Sequence, residues 1–284
     1  MKQWIVLLTQ KLFGKYYCPN SGIFIILKFN FSANTGYLWR ELPFLERIKL
    51  AKRHHFNSLE FHDEPHEINL TDLKKLLYQL ELSLNGMNVR MGDTFGCAAI
   101  PGRSDQAQSE IKQAITIAED IGARALHILS GVTEYNQTSI NTFISNLEFA
   151  LKNSKILILI EPVCEEQLPG YFLKTIDQAA DIINCINHPR LKIMFDCYHI
   201  DKESGDLLKN FKAHANKIGH IQIAAAENRA EPFEGKLNYR YILPEFKRLG
   251  YQGAFGCEYR PSGPTEDGLS WRDPLFEMEN ETKI

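Results

Sequence analysis

Four apolar segments in the second half of the chain each lead to a side chain that offers an oxygen atom as a ligand. The oxygen-bearing residues are Glu161, Asp196, Gln222 and Glu258. If these groups meet, their three carboxylates repel one another, and the usual relief is protonation of one of them or a bound cation. An all-oxygen set suits Mg²⁺ or Mn²⁺ better than Zn²⁺, which prefers histidine and cysteine. The residue types therefore favour a divalent metal site.

These segments belong to a longer alternation of short apolar runs and stretches of helical periodicity. Eight runs have strand character: 25–31, 58–61, 86–90, 125–129, 156–160, 191–195, 220–223 and 254–257. Seven helical segments lie between them: 43–54, 71–82, 105–121, 139–153, 175–187, 205–217 and 241–249. Eight strand–helix units without a GxGxxG turn predict an α/β fold, a single (β/α)₈ TIM barrel, rather than an open doubly wound sheet.

A barrel would bring the four oxygen-bearing residues together. All strands of a parallel barrel direct their carboxyl ends to one face, and neighbouring strands are about 4.8 Å apart. Any one of these residues alone could be an acid that ends a strand and faces solvent. Four of them at the ends of the last four strands instead predict a site at the mouth of the barrel.

Composition and charge restrict the partners of the chain. Its 284 residues are 44% apolar and 24% charged, and the net charge of -3 gives no basic footprint for a nucleic acid. Six scattered cysteines without a CxxC pair suit a reducing compartment. The apolar run at 4–8 is shorter than the apolar region of a secretory leader, and no stretch reaches the roughly 18 apolar residues of a membrane span. We expect a cytoplasmic protein with a small-molecule substrate and no nucleic-acid or membrane partner; a homo-oligomer is compatible with the sequence.

The repeat sets the expected domain boundaries. Residues 25–275 hold the strand–helix units and are interpreted as the barrel. Residues 1–24 have no place in the repeat and are interpreted as an N-terminal extension. Residues 276–284 are interpreted as an acidic C-terminal tail.

Four stretches around the oxygen-bearing residues resemble a known family of barrels. They are EPVCEEQLPGYFL at 161–173, FDCYH at 195–199, GHIQIA at 219–224 and GCEYRP at 256–261. Together they resemble the hydroxypyruvate isomerase family, which includes the 2-oxo-tetronate isomerases, within the xylose isomerase-like TIM barrel superfamily. One departure lies at 164–167, where Cys-Glu-Glu-Gln replaces a polar stretch of Asn, Thr and Arg.

The resemblance implies a role for each residue that it matches. Glu161 and Glu258 correspond to two glutamates that hold the metal and also act as proton donor and acceptor. Asp196 and Gln222 correspond to the remaining ligands, and His199 to a site histidine of the wider superfamily. The implied cofactor is a divalent ion, Mg²⁺ or Mn²⁺.

The expected reaction is a metal-dependent isomerisation of a small hydroxy-oxo acid of the hydroxypyruvate or 2-oxo-tetronate type. Moving a carbonyl to the adjacent carbon requires removing a proton, holding an enediolate and returning the proton, which two glutamates and a metal can do. Arg229 lies on the loop after the Gln222 strand and is the candidate for binding the substrate carboxylate. His199 is the candidate for binding a substrate oxygen or orienting a ligand.

Alternatives stay open at this point. A sugar epimerase or a dehydratase on the same scaffold would use the same metal and the same two glutamates. A metal-free binding protein would keep the barrel without activity. An apurinic endonuclease is disfavoured, because it would need many histidine ligands and a basic groove.

Two other histidines and one loop are assigned lesser roles. His127 and His220 are expected to pack in the barrel rather than to bind a ligand. Residues 90–93 are interpreted as part of a loop over the mouth.

Overall fold

Eight parallel strands close into a barrel in the computed structural model, which describes residues 28–233 and 235–276. They are β1 (Phe31–Asn34), β2 (Ser58–Phe61), β3 (Ser83–Asn88), β4 (Ala125–His127), β5 (Leu157–Ile160), β6 (Leu191–Asp196), β7 (Ile218–Ile223) and β8 (Phe255–Cys257). Each strand pairs in parallel with the next, and β1 also pairs with β8, which closes the sheet. The predicted (β/α)₈ barrel is confirmed.

Helices surround this barrel. Those in the described residues are α1 (Phe44–Arg53), α2 (Leu70–Leu80), α3 (Ser104–Asp120), α4 (Gln137–Asn153), α5 (Ile176–Ile186), α6 (Cys197–Ser204), α7 (Leu207–His214) and α8 (Tyr239–Arg248). Two 3₁₀ helices add to them, Glu64–Glu67 and Thr265–Arg272. Local signals fix several ends: α5 begins with a capping box in which Thr175 and Gln178 each bond the other's backbone N–H.

The apolar faces of the helices pack on the outside of the barrel. In α3, for example, Ile111, Ala114, Ile115 and Ala118 are buried. Their spacing of three and four residues lies along one side of a helix. The strands therefore pack against side chains inside the barrel on one face and against the apolar faces of the helices on the other.

Inside the barrel, apolar residues lie below polar ones. Ala125, Leu159 and Met194 form a small separate apolar cluster. Side chains in a strand alternate between its two faces, so residues two positions further on also face inward. Those residues are His127, Glu161 and Asp196, which lie nearer the mouth. Strand alternation thus accounts for the position of two of the predicted ligands.

Several predicted elements differ from the structure; the third strand, for example, is Ser83–Asn88 instead of 86–90. The first strand is Phe31–Asn34 instead of 25–31, of which 25–27 lies outside the described residues. The prediction followed the apolar run, whereas the real strand reads FSAN because Ser32 and Asn34 face the polar interior. The helix predicted at 205–217 is shorter, Leu207–His214, and the unpredicted helix α6 precedes it.

Some predictions fall on residues that are not described. These are the N-terminal extension at 1–24 and residues 277–284 of the predicted acidic tail. Phe276, the first residue assigned to that tail, has its ring 5.8 Å from the ring of Phe31. Among the described residues, none of the helices combines the length and apolar character needed to cross a membrane. The five cysteines in this part of the chain are free.

Candidate active site

The four predicted ligand residues lie at the carboxyl ends of neighbouring strands. Glu161 follows β5, Asp196 ends β6, Gln222 is the penultimate residue of β7, and Glu258 follows β8. Strand pairing places Asp196 opposite Gln222 and Gln222 opposite Gly256. All four side chains are buried, Asp196 completely. The structure therefore brings the predicted residues together at one mouth of the barrel.

The contacts among these residues form one connected cluster. Ligand atoms of Glu161, Asp196 and His199 lie within 4.8 Å of one another. Arg229 joins Asp196 to Glu258, because its Nη2 donates to Asp196 Oδ2 at 3.0 Å and to Glu258 Oε1 at 2.7 Å. Gln222 Nε2 donates to Glu258 Oε2. Arg229 and Gln222 thus connect Asp196 and Glu258, and Glu161 lies beside Asp196.

This donor set fits a hard divalent cation. Oε1 of Glu161 and Oε1 of Gln222 are buried and have no hydrogen-bond partner among the described residues. Buried polar atoms in folded proteins nearly always have a partner, so an unpartnered pair in one cluster calls for a bound group. Carboxylate and amide oxygens are ligands of Mg²⁺ and Mn²⁺. Glu161, Asp196, Gln222 and Glu258 are the residues that would hold such an ion.

The electrostatics of the two glutamates point in the same direction. Burial raises the pKa of Glu161 well above its ordinary value, and the charges of Glu258 and Asp196 raise it further. Burial also raises the pKa of Glu258 to about 8, even though the charge of Arg229 opposes the shift. Carboxylates that cannot all ionise together are relieved by a nearby positive charge. Arg229 supplies one such charge, and a divalent ion would supply more.

His199 is a hydrogen-bond donor toward the cluster. Burial lowers its pKa to about 3, so the ring is neutral at physiological pH. The backbone N–H of Cys164 donates to its Nδ1 at 3.3 Å, which favours the tautomer that carries the ring proton on Nε2. Nε2 lies 3.5 Å from Asp196 Oδ2. A protonated Nε2 cannot ligate a metal, and Gln222 is therefore the better fourth ligand.

Arg229 is held in a strained and enclosed position. Its φ of 59° is in the left-handed region, which a residue with a side chain rarely adopts. Its guanidinium lies 5.1 Å from the ring centre of Tyr37 and 5.4 Å from that of Tyr198. Burial opposes its charge, but Asp196 and Glu258 outweigh burial and raise its pKa. The residue is fixed as a permanent cation between two ligands.

A cavity of about 80 Å³ opens beside the cluster. Its walls include Glu161, His199, Arg229 and Glu258, so the predicted catalytic and substrate-binding residues share one space. Met91, from the loop predicted to cover the mouth, also lines this cavity. The cavity is of a size for a small molecule of a few carbon atoms.

His127, which was expected to pack rather than to bind a ligand, is buried and also lies in the wall of this cavity. Its Nε2 is buried, has no hydrogen-bond partner among the described residues, and lies 3.7 Å from Glu161 Oε2. Its Nδ1 is 3.1 Å from Asn88 Oδ1, which fixes the ring. His220 does lie inside the barrel, where its Nε2 is 2.9 Å from Glu60 Oε1.

Sequence reasoning missed several polar residues that support the cluster. Asn34 Nδ2 donates to Glu258 Oε2 at 2.9 Å, and Glu60 accepts from Gln222 Nε2 at 2.9 Å. The sequence does contain a signal for such residues, which is that polar side chains occur at every second position of a strand. Ser58 and Glu60 alternate in this way with apolar residues in a fully buried strand. Polar residues at alternate positions of a buried strand indicate a polar barrel interior.

Comparison with known proteins agrees with the barrel fold. The model of the xylose isomerase-like TIM barrel family matches residues 48–275. The chain is 35% identical to hydroxypyruvate isomerase of Escherichia coli (strain K12) over 254 residues, which cover 86% of this chain and 98% of that protein. It is also 35% identical to 2-oxo-tetronate isomerase of Cupriavidus necator, over 87% of this chain and 98% of that one.

Solved structures of other proteins share the barrel fold of this chain. A structure from Brucella melitensis described as AP endonuclease, family 2, has a TM-score of 0.84 and 34% identity, and covers 87% of this chain and 99% of its own. A 3-keto-D-glucoside 4-epimerase from E. coli has a TM-score of 0.71 at 16% identity, and the match covers 89% of this chain and 100% of that chain. At this identity the similarity shows the fold alone.

A parallel barrel with buried acids at its carboxyl mouth and isomerases among its relatives defines an isomerase-type barrel enzyme. More particularly, the chain belongs to the xylose isomerase-like TIM barrel family and, within it, to the hydroxypyruvate isomerase family.

Proposed function

We propose that this chain is a metal-dependent isomerase of a small hydroxy-oxo acid, of the hydroxypyruvate or 2-oxo-tetronate type. The observation that carries the proposal is a pair of buried oxygens, Glu161 Oε1 and Gln222 Oε1, without a partner among the described residues. Glu161 lies beside Asp196, and Gln222 is hydrogen-bonded to Glu258. The names of the related isomerases support the substrate class.

The two glutamates are suited to proton transfer. Isomerisation removes a proton from a carbon next to the carbonyl and returns a proton to the neighbouring carbon. Glu161 and Glu258 both line the cavity, and burial raises the pKa of each. The pKa of Glu258 rises to about 8, so this carboxyl can both give and take a proton near neutral pH. A divalent ion bound here would supply Lewis-acid stabilisation of the negative charge that develops on the substrate oxygens.

His199 and Arg229 are suited to hold the substrate. Nε2 of His199 carries a proton and can donate to a substrate oxygen. Nε of Arg229 is buried without a partner among the described residues, and the side chain lines the cavity. Because its guanidinium is already fixed, Arg229 can donate its Nε–H to a substrate oxygen with little further ordering.

Two other functions are less well supported. An AP endonuclease is the description given to the similar structure from Brucella melitensis. Here the donor set includes an amide where such enzymes need imidazoles, and the net charge of -3 does not favour DNA. A sugar epimerase would use the same glutamates, so the substrate has to separate it from an isomerase.

The experiment is a substrate panel on metal-free and metal-loaded protein. Hydroxypyruvate, a 2-oxo-tetronate and common ketoses are incubated with protein stripped by EDTA, with and without added Mg²⁺ or Mn²⁺. Turnover and exchange of the proton beside the carbonyl are then measured. We expect turnover of an acid, dependent on the ion. Turnover of ketoses alone would favour the epimerase, and acid turnover by metal-free protein would contradict the metal site.

Two substitutions test the roles of the glutamates. We expect Glu161→Gln and Glu258→Gln each to lower kcat by at least about 100-fold with the fold intact, since each removes a proton-transfer group. Glu166→Gln is the control, because Glu166 lies in the same loop but is exposed and paired with Lys202. Undiminished activity in either test variant would contradict its role.

A further inference from the structure

Glu60 is a buried acid beneath the proposed metal cluster, and it belongs to none of the roles described above. It lies in β2, on the inner side of the barrel, and is 4% exposed. Each of its carboxylate oxygens has one partner from β7: Oε1 is 2.9 Å from His220 Nε2, and Oε2 accepts from Gln222 Nε2 at 2.9 Å. The carboxylate therefore contacts the amide side chain of the one ligand residue that is not an acid.

A glutamine side chain can present either of two ends to a metal, and only one of them binds it. The amide nitrogen is a donor without a free lone pair, whereas the amide oxygen is an acceptor. In Gln222, Nε2 faces Glu60 Oε2 and Glu258 Oε2, while Oε1 has no partner among the described residues. A bound cation favours the ionised form of both acids, which then only accept hydrogen bonds. Rotating the amide by half a turn would place Oε1 against these two acceptors and would turn Nε2 toward the position of a ligand.

Of the two carboxylates that hold Nε2, Glu60 is the one with no other proposed task. Glu258 also accepts from Arg229 and Asn34, and it is proposed to hold the ion and to transfer a proton. Those demands change during turnover. Among the described residues, the hydrogen-bond partners of the Glu60 carboxylate are both in β7, so it can keep the amide in one orientation throughout.

The neighbouring strand leaves room for this carboxylate. Gly256 in β8 pairs with Gln222, and a Cβ atom at Gly256 would lie 2.4 Å from Glu60 Oε1. Any larger residue there would push the carboxylate away from its place below Gln222. The absence of a side chain at Gly256 therefore allows Glu60 to make its contacts with β7.

We propose that Glu60 is a positioning residue that orients the Gln222 amide so that its Oε1 faces the divalent ion. The inference rests on the proposed metal site and extends it to a residue that does not touch the ion. Residues that orient a metal ligand typically change metal affinity by about 10- to 100-fold when they are lost. Glu60 should therefore act on metal affinity through Gln222.

The test measures Mn²⁺ binding to metal-stripped protein by calorimetry, without substrate. We expect Glu60→Met, which keeps the length but removes both acceptors, to weaken binding by about 10- to 100-fold. Glu60→Gln keeps an acceptor oxygen and should recover part of the affinity. Ser58→Ala is the control, since Ser58 faces the same interior from the same strand but contacts Phe31 and Asn85 instead of the cluster.

A double-mutant cycle separates positioning from a general structural effect. In a Gln222→Leu background there is no amide to orient, so Glu60→Met should have no further effect on Mn²⁺ affinity. If wild-type protein binds no Mn²⁺, the proposed metal site itself fails. If wild-type protein and Glu60→Met bind Mn²⁺ equally well, only the role of Glu60 is overturned. The same holds if Glu60→Met lowers the Mn²⁺ affinity equally in the wild-type and the Gln222→Leu backgrounds. Should Glu60→Met not fold, the same cycle with Glu60→Gln decides between these outcomes.

Discussion

At the scale of single residues, Glu258 combines the two properties that a proton-transfer group and a metal ligand need. It accepts hydrogen bonds from Asn34, Gln222 and Arg229, which fix its carboxylate. Burial raises its pKa to about 8 despite the charge of Arg229. The neutral acid and the carboxylate are therefore both accessible near neutral pH, and a bound cation shifts the balance to the carboxylate.

This pKa shift predicts how the stability of metal-free protein depends on pH. A carboxyl that keeps its proton to higher pH in the folded than in the unfolded state stabilises the fold while it is protonated. Its contribution is complete below the ordinary value of 4.5 and is lost as pH rises toward 8. In EDTA, the free energy of unfolding of wild-type protein should therefore fall more between about pH 5 and about pH 8 than that of Glu258→Gln.

The measurement is the free energy of unfolding in denaturant at several pH values. Glu166→Gln, a change at an exposed acid, should follow the wild-type profile. Parallel profiles for wild-type and Glu258→Gln would mean that the Glu258 carboxyl is not perturbed in the folded protein.

Single residues also mark the limit of what the sequence could predict. The sequence predicts a role for Glu161, Asp196 and Glu258, because each is an acid at the end of an apolar run, where a buried charge needs an explanation. The roles of Glu60 and His127 could not be predicted, because polar residues in or at the end of a buried strand indicate a polar interior but not which partners they contact. Their roles depend on partners far along the chain, such as Gln222, 162 positions away from Glu60.

At the scale of elements, Asp196 connects a strand to a helix as well as belonging to the metal cluster. It is the last residue of β6 and the N-cap of α6, where its Oδ1 accepts from the backbone N–H of Tyr198 at 2.8 Å. Helix α6 was not predicted because its sequence, CYHIDKES, has no clear apolar face. The cap explains why it forms immediately after the strand and places His199 beside the ligands.

Two substitutions at Asp196 separate its structural role from its ligand role. Asparagine is as good an N-cap as aspartate, whereas alanine in place of either costs about 1 kcal/mol. We expect Asp196→Asn and Asp196→Ala both to weaken Mn²⁺ binding, because both remove a charged ligand. Only Asp196→Ala should lose the further stability of about 1 kcal/mol in metal-free protein, seen as a lower free energy of unfolding in denaturant.

The adjacent helix offers a matched control. Asp206 caps α7 by accepting from the backbone N–H of Lys209 at 3.1 Å, and it lies outside the cluster. Asp206→Ala should reduce stability by a similar amount and leave Mn²⁺ binding unchanged. Equal stability of the two Asp196 variants would show that the cap contributes nothing to α6.

At the scale of the whole molecule, the closed barrel is what converts distant residues into one site. The eightfold alternation of strands and helices was readable from the sequence because period and spacing are local properties. The position of β1 was not, because a strand facing a polar interior does not look apolar. Ser32 and Asn34 in β1 pair with residues of β2, and Ser32 also with Gly256 of β8.

We propose that the barrel does not need the predicted N-terminal extension, because β1 is covered by residues near the other end of the described chain. The ring of Phe31 lies 5.0 Å from that of Trp271 and 5.8 Å from that of Phe276. The first strand is thus packed by the segment that follows the last strand, and pairs with β2 and β8 on its two sides. All eight strands and this cover lie between residues 31 and 276.

We therefore expect a chain that lacks residues 1–24 to retain its unfolding temperature and its Mn²⁺ affinity. Trp271→Ala is the contrasting variant, because removing a buried tryptophan in the cover of β1 should cost about 3 to 5 kcal/mol. Thermal unfolding followed by circular dichroism, with and without Mn²⁺, measures both. A loss of stability in the shortened chain comparable to that of Trp271→Ala would assign residues 1–24 to the packed barrel and would move the domain boundary to the start of the chain.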